Sequence, residues 1–210
     1  MTPDSTAELE AVSAAVSTRR SWASLTPQEG RIQAAVCVPL HVAGAGTEVW
    51  AIKRTDGMRH HAREIAFPGG QRDPGDLDLR DTALRELEEE LGIARDRVRV
   101  LAAMGRFPTA TSRFTLNPYV VLVAGGAVAR PHAGEVAAVI RMPLAEFFAG
   151  RVPYRAVELG PGRRSPIFDF EVGSMYGATA HVLDELLRAF AEVRGLAFPE
   201  PELTDRVPWA

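Results

Sequence analysis

Apolar positions recur at two spacings along the chain, and each change of spacing marks a new element. Helical spacing at the two ends predicts an N-terminal helix over residues 5–20 and a C-terminal helix over residues 178–194, and a short helix is expected at 144–148. Strands are predicted at 32–42, 48–54, 98–106, 117–124, 136–141, 154–159 and 167–172. The tail from residue 199 is expected to be loop. Because strands and helices do not strictly alternate and no linker divides them, we expect one α+β domain over residues 1–210, an α/β/α sandwich with a mixed sheet between helices.

The clearest helical pattern lies in the middle of the chain, at residues 79–91. Asp78 is its predicted N-cap, and Gly92 stands where a left-handed residue commonly ends a helix. The preceding stretch, from FPGG at 67–70 to Asp78, is rich in Pro, Gly and Asp and is predicted to be loop.

Composition limits the class of protein. The 210 residues are 46% hydrophobic with a net charge of −3, which excludes a disordered chain, and the pI near 6.0 argues against a nucleic-acid binder. The one cysteine, Cys37, lies in an apolar run and excludes both an internal disulfide and a cysteine-based zinc cluster. The first residues lack a signal-peptide pattern, and no apolar run approaches the ~20 residues that cross a bilayer. We therefore expect a cytoplasmic protein with no membrane partner.

Three carboxylates share one face of the central helix. At about 100° per residue, Glu86, Glu89 and Glu90 fall within roughly 100° of one another. Arg85 can offset Glu89 at i,i+4, whereas Glu86 and Glu90 have no such partner on the helix. A hard divalent cation, Mg²⁺ or Mn²⁺, would remove the repulsion, although a solvated acidic face is equally compatible with this geometry. The adjoining face is apolar and is expected to be buried, through Leu84, Leu87 and Leu91.

The string that contains this helix, GGQRDPGDLDLRDTALRELEEELGI at 69–93, resembles the signature box of the Nudix hydrolase family. The first half departs from the family pattern, because Asp76 replaces a Glu and the spacer before Arg85 is one residue longer. The second half of the pattern is filled without exception, by Arg85, Glu86, Leu87, Glu89, Glu90, Gly92 and Ile93.

Further motifs are similar to the Nudix subgroup that acts on coenzyme A. These are the longer box with DPxD after FPGG, Arg54 and Arg59 upstream of it, and the segment MYGATAHVLDELL at 175–187. Arg63 departs from this subgroup, which usually has Gly there, and the Leu-Leu-Thr part of the upstream motif is lost. The resemblance covers residues 32–190.

The resemblance implies a Nudix-type fold and hydrolysis of a diphosphate bond in a small nucleotide substrate such as coenzyme A. It implies that Glu86, Glu89 and Glu90 bind Mg²⁺ or Mn²⁺ and act in catalysis, with Arg85 orienting them. The general base is one of these Glu residues or a carboxylate outside the box, and Asp76 is expected to brace the box. Substrate contacts are expected from Arg54, Arg59, Arg63, Gly69 and Gly70.

Several alternatives stay open. Another Nudix activity, on ADP-ribose or a nucleoside triphosphate, would use the same box. A non-catalytic ligand-sensing module of the same fold would tend to lose box carboxylates, and an isopentenyl diphosphate isomerase would need a reactive cysteine, unlike Cys37. Tyr176 and Phe168 are expected either in the core or beside a substrate pocket. A homodimer is also compatible with the sequence.

Overall fold

The structure, a computed structural model, describes residues 3–19, 30–44, 46–57, 62–109 and 112–208. Its helices are α1 (Pro3–Thr18), α2 (Leu79–Leu91), α3 (Leu144–Phe148) and α4 (Gly177–Arg194), with a short 3-10 helix at Arg95–Arg97. Its strands are β1 (Ile32–Ala43), β2 (Gly46–Arg54), β3 (Ile65–Ala66), β4 (Gly69–Gln71), β5 (Val98–Ala103), β6 (Phe107–Pro108), β7 (Phe114–Val123), β8 (Val136–Pro143), β9 (Tyr154–Glu158), β10 (Arg164–Phe170), β11 (Gly173–Met175) and β12 (Glu202–Leu203).

Two long central strands organise a mixed eight-stranded sheet. β1 pairs in parallel with β7 over ten positions, and the remaining pairings of this sheet are antiparallel, in the order β3-β2-β1-β7-β5 with β4, β6 and β8 attached to β1, β7 and β2. A second sheet of four strands has the order β11-β10-β9-β12. None of the described helices is both long and apolar enough to cross a membrane.

Alternation along β1 gives the large sheet two buried faces. Val36, Val38 and Leu40 belong to a cluster with apolar residues of α1 and α4, whereas Ala35 and Cys37 belong to a cluster with apolar residues of α2. The sheet therefore lies between helices, which confirms the predicted α+β sandwich. Burial raises the pKa of the Cys37 thiol, as expected for an inert core cysteine.

Most predicted elements are present, with ends displaced by a few residues. α1 begins at residue 3 and ends at residue 18 rather than spanning 5–20. The prediction of loop was wrong for Gly69–Gln71, which pairs with β1 as β4, and for Glu202–Leu203 in the tail, which pairs with β9 as β12. A strand of two or three residues is too short to show alternation of apolar and polar positions, so the sequence does not reveal it. Such strands form through pairing with residues that are distant in sequence.

Both predicted caps of α2 are confirmed. The Asp78 side chain accepts a hydrogen bond of 2.8 Å from the Asp81 N–H. Gly92 adopts φ 63° and ψ 26°, and a Cβ there would lie 2.8 Å from the Arg130 carbonyl oxygen. The helix therefore ends at a residue where both the left-handed backbone conformation and the lack of space for a side chain favour glycine.

A buried aspartate fastens the loop before α2 to the helix. The side chain of Asp76 is 3% exposed and accepts hydrogen bonds from Asp73 N at 2.9 Å, Thr82 Oγ1 at 2.8 Å and Arg85 Nε at 2.9 Å. The Arg85 guanidinium lowers the pKa of this carboxyl well below its usual range, helped by the Asp73 and Thr82 hydrogen bonds and against the effect of burial. These contacts agree with the bracing role expected for Asp76.

Gly69→Ala is expected to destabilise the fold, because the added Cβ would lie 2.5 Å from the carbonyl oxygen of Ala35 and 2.8 Å from the Cα of Val36. We expect a loss of about 2–3 kcal/mol in the free energy of unfolding, measured by urea denaturation. Gly75→Ala is the matched control, since nothing lies within 4 Å of a Cβ there, and its stability should change by less than about 0.5 kcal/mol. Equal stability of the two variants would contradict the packing described for β4.

Asp76→Asn should lower the free energy of unfolding at pH 7 by about 2–3 kcal/mol, because Arg85 loses a buried ionised partner. The folded-state pKa of Asp76 lies below its unfolded value, so this stabilisation is complete above pH ~4 and is lost as the pH falls further. Denaturation of wild type and variant between pH 7 and pH 3 should therefore show a difference that shrinks below pH ~4. Asp73→Asn changes a 68% exposed side chain and is the control; a similar loss there would argue against the buried pair as the cause.

Candidate active site

The acidic face of α2 lies against β4 and β2, and its most buried member is Glu90. The Glu90 side chain is 2% exposed, its Oε2 accepts a 3.0 Å hydrogen bond from Gly69 N, and its Oε1 lies 3.3 Å from Arg54 Nη2. Arg54 Nη2 also donates to the Gly69 carbonyl at 3.2 Å. Two strands therefore contribute partners to one carboxylate of the helix.

Burial raises the pKa of Glu90 to about 7, and the nearby charges of Glu86 and Glu135 act in the same direction. Arg54 and the Gly69 N–H oppose this shift and favour the ionised form. Burial also raises the pKa of Glu86. Additional positive charge at this face would stabilise both carboxylates.

Glu86 and Glu89 share the guanidinium of Arg85. Nη1 of Arg85 lies 2.9 Å from Glu86 Oε1 and 2.8 Å from Glu89 Oε2. The Arg85–Glu89 contact confirms the i,i+4 pair expected from the sequence. The sequence indicated no i,i+4 partner on the helix for Glu86 or Glu90. In the structure Arg85 also pairs with Glu86, the next residue along the helix, and Glu90 pairs with Arg54 of β2.

Arg85 therefore has one side on the carboxylate face and the other on the loop before the helix. Its Nε and Nη2 contact Asp76 at 2.9 and 3.2 Å, and Nη2 donates to the Gln71 carbonyl at 3.3 Å. The Asp76 hydrogen bond is the largest cause of a raised Arg85 pKa. An arginine fixed on both sides in this way positions Glu86 and Glu89.

The three carboxylates fit a hard divalent cation by chemistry, since oxygen donors suit Mg²⁺ or Mn²⁺. Within the residues that the structure describes, however, no three Asp, Glu, His or Cys side chains converge closely enough to hold a metal ion. The cause is visible in the contacts, because Arg85 lies between Glu86 and Glu89 while Glu90 turns towards Gly69. The metal set Glu86, Glu89 and Glu90 stays a prediction.

Gly70 lies directly beside one of these carboxylates, that of Glu86. A Cβ on Gly70 would lie 2.2 Å from Glu86 Oε1, so any side chain there would displace Glu86. Neither Gly69 nor Gly70 has a positive φ. The two residues therefore supply space beside α2 rather than a left-handed turn.

Two of the arginines expected to contact the substrate, Arg54 and Arg63, lie in different surroundings. Arg54 is directed into the carboxylate face, whereas Arg63 lies on an exposed turn with its Nε 2.7 Å from Asp56 Oδ1 and its backbone at φ 65°. Arg59 lies outside the described residues. The roles of these arginines in substrate binding stay predictions.

Sequence reasoning missed Glu135, whose negative charge helps to raise the pKa of Glu90. Its carbonyl accepts from Thr55 N at 3.0 Å, and Thr55 Oγ1 donates to the neighbouring Gly134 carbonyl at 3.0 Å. These bonds fasten the loop before β8 to the end of β2. A single acid in a loop has no spacing signal, so only the tertiary structure reveals it.

The two aromatic candidates have different surroundings. Phe168 is fully buried and stacks on Tyr154 with ring centroids 4.7 Å apart, which places it in the core. Tyr176 is half-buried, and its hydroxyl donates a 3.0 Å hydrogen bond to Glu64 Oε1.

Solved structures share this architecture at low sequence identity. An Ap4A hydrolase from C. elegans has a TM-score of 0.51 at 15% identity, covering 78% of this chain and 98% of that one. A MutT/nudix family protein from Enterococcus faecalis has a TM-score of 0.52 at 13% identity, covering 90% of this chain and 79% of that one. These likenesses support the fold alone.

Sequence relatives and a family model agree with each other. The uncharacterized Nudix hydrolase NudL of Pectobacterium atrosepticum is 37% identical over 126 residues, 60% of this chain and 65% of that protein. NudL of Citrobacter koseri is 33% identical over 158 residues, 74% of this chain and 81% of that protein. The match thus spans slightly less than two thirds of the Pectobacterium protein. The family model described as NUDIX domain matches residues 31–160, and the chain therefore belongs to the Nudix family.

Proposed function

We propose that the chain is a metal-dependent hydrolase that cleaves a diphosphate bond in coenzyme A or its derivatives, giving phosphopantetheine and adenosine 3′,5′-bisphosphate. The observation that carries the hydrolase proposal is the carboxylate face of α2, on which Glu90 is held by Gly69 and Arg54 beside the Arg85-bound pair Glu86 and Glu89. The preference for coenzyme A rests on the resemblance of FPGG with DPxD and of residues 175–187 to that subgroup.

Glu86, Glu89 and Glu90 would hold the cation, Mg²⁺ or Mn²⁺. When bound, such an ion neutralises charge on the diphosphate and acidifies a water molecule. The raised pKa values of Glu86 and Glu90 support the assignment, because each of these carboxylates gains from added positive charge.

The other charged side chains of the site position the reacting groups. Arg85 keeps Glu86 and Glu89 in place through its contacts with Asp76. The Arg54 side chain is 15% exposed at the edge of the carboxylate face, where its guanidinium can direct N–H donors at a phosphate oxygen. Glu89, 56% exposed, and Glu135 are the carboxylates that water reaches most readily, and we assign proton acceptance to one of them. The cytoplasmic location and a homodimer stay predictions.

The substrate proposal predicts that coenzyme A is hydrolysed faster than ADP-ribose and nucleoside triphosphates in the presence of Mg²⁺ or Mn²⁺. Chromatography of the products should show phosphopantetheine and adenosine 3′,5′-bisphosphate in equal amounts. Cleavage of ADP-ribose with coenzyme A left intact would overturn the substrate preference but keep the hydrolase. No cleavage of any diphosphate in the panel would overturn both.

Glu89→Gln and Glu90→Gln should each lower kcat/KM by about 100-fold or more, since each replaces an acidic oxygen of the proposed cation site with a neutral amide. Steady-state kinetics with the substrate identified in the panel checks this, with circular dichroism to show that each variant folds. Glu88→Gln is the matched control, because Glu88 is 48% exposed and pairs with Arg95 away from the site. Near wild-type turnover of both site variants would refute the roles assigned to these carboxylates.

A further inference from the structure

The second sheet is joined to the connection between β2 and β3 by contacts that the proposed reaction does not explain. Lys53 Nζ, at the end of β2, donates to the Val172 carbonyl at 2.6 Å. β11 lies next to β3, and Gly173 is so placed that an added Cβ would be 3.9 Å from Ile65 Cδ1. The hydroxyl of Tyr176, the N-cap residue of α4, donates to Glu64 Oε1 at 3.0 Å. Residues 172–176 therefore contact the end of β2, the start of β3 and Glu64, which directly precedes β3.

The contact between Tyr176 and Glu64 can be followed to the carboxylate face. The backbone carbonyl of Glu64 accepts a 3.0 Å hydrogen bond from the backbone N–H of Arg54. The Arg54 side chain in turn lies 3.3 Å from Glu90 and donates to the Gly69 carbonyl at 3.2 Å. Two hydrogen bonds and one ion pair, connected through the covalent structure of Glu64 and Arg54, thus link Tyr176 to Glu90.

The Tyr176 hydroxyl is suited to a fixed donor role. Burial, together with the adjacent Glu64 carboxylate, raises its pKa to about 12. The hydroxyl therefore stays protonated at neutral pH and keeps donating to Glu64. The separation between Tyr176 and Glu64 in sequence, 112 residues, means that this bond joins two parts of the fold that have no local reason to meet.

We propose that Tyr176 is a positioning residue, which holds Glu64 and through it sets the backbone of Arg54 at the substrate-binding edge of the site. This inference rests on the proposed function, because it assigns Arg54 to the substrate diphosphate. Tyr176 acts through Glu64 and makes no contact with the reacting groups. Its loss should weaken substrate binding and leave the chemical step largely unchanged.

The test compares Tyr176→Phe with Tyr154→Phe. Tyr154, in β9, is likewise half-buried, and its hydroxyl donates to Asp184 at 2.7 Å. The contacts described for Tyr154 do not include the 55–64 connection. For the substrate that the wild type cleaves, coenzyme A or else ADP-ribose, we expect Tyr176→Phe to raise KM by about three- to tenfold with kcat within about twofold. Tyr154→Phe should leave KM unchanged. An unchanged KM in Tyr176→Phe, or an equal rise in both variants, would overturn the proposal.

A double-mutant cycle separates positioning from direct substrate contact. In a Glu64→Ala background, Tyr176→Phe should cause no further rise in KM if Tyr176 acts through Glu64. Additive effects would show that Tyr176 meets the substrate itself and would overturn the assignment.

Hydrogen exchange supplies a readout that is independent of activity. The amides around Arg54 should exchange faster in Tyr176→Phe than in the wild type and in Tyr154→Phe, because the Arg54 N–H bond to Glu64 is loosened. Unchanged exchange at Arg54 would overturn the proposal. If the wild type cleaves no diphosphate, the proposed function fails, whereas the exchange measurement still tests whether Tyr176 holds this connection.

Discussion

The burial of one carboxylate, that of Glu90, constrains the geometry around it. A carboxylate that is 2% exposed requires hydrogen bonds and a counter-charge to stay ionised. Gly69 supplies an N–H from an edge of the sheet, and Arg54 supplies the charge from the end of β2. The position of β4 and the direction of the Arg54 side chain therefore both contribute to holding this one carboxylate.

Two arginines form ion pairs with different carboxylates of the acidic face. Arg85 comes from the helix itself, is fixed by the buried Asp76, and contacts the two more exposed carboxylates, Glu86 and Glu89. Arg54 comes from the sheet and contacts the buried one. Three acidic side chains on one face of an isolated helix would repel one another. Here Arg85 and Arg54 offset that repulsion, one from the helix and one from the sheet. Burial nevertheless outweighs the effect of the two arginines, so the pKa values of Glu86 and Glu90 are still raised.

Features encoded by neighbouring residues could be predicted from the sequence, while those created by distant partners could not. Asp78 and Gly92 delimit α2 through local capping rules, and the Arg85–Glu89 pair follows from helical spacing. The partner of Glu90, by contrast, is Arg54, which lies 36 residues earlier and meets it only after β2, β1 and β4 have paired. The same holds for β12 and for Glu135, because a two-residue strand and a single loop acid have no periodicity to read.

The parallel pairing of β1 with β7 has a consequence for the order in which the molecule is assembled. Ile32 and Phe114 are register partners although about 80 residues separate them, and the whole of α2 lies in the intervening segment. Closing so long a loop carries a large entropic penalty that only later contacts repay. The apolar side of α2 packs on the same strands, so the helix and the strand pair support each other's formation. The acidic face of α2 therefore depends on the same packing as the parallel strand pair, and a chain in which β1 and β7 have not paired would lack an organised acidic face.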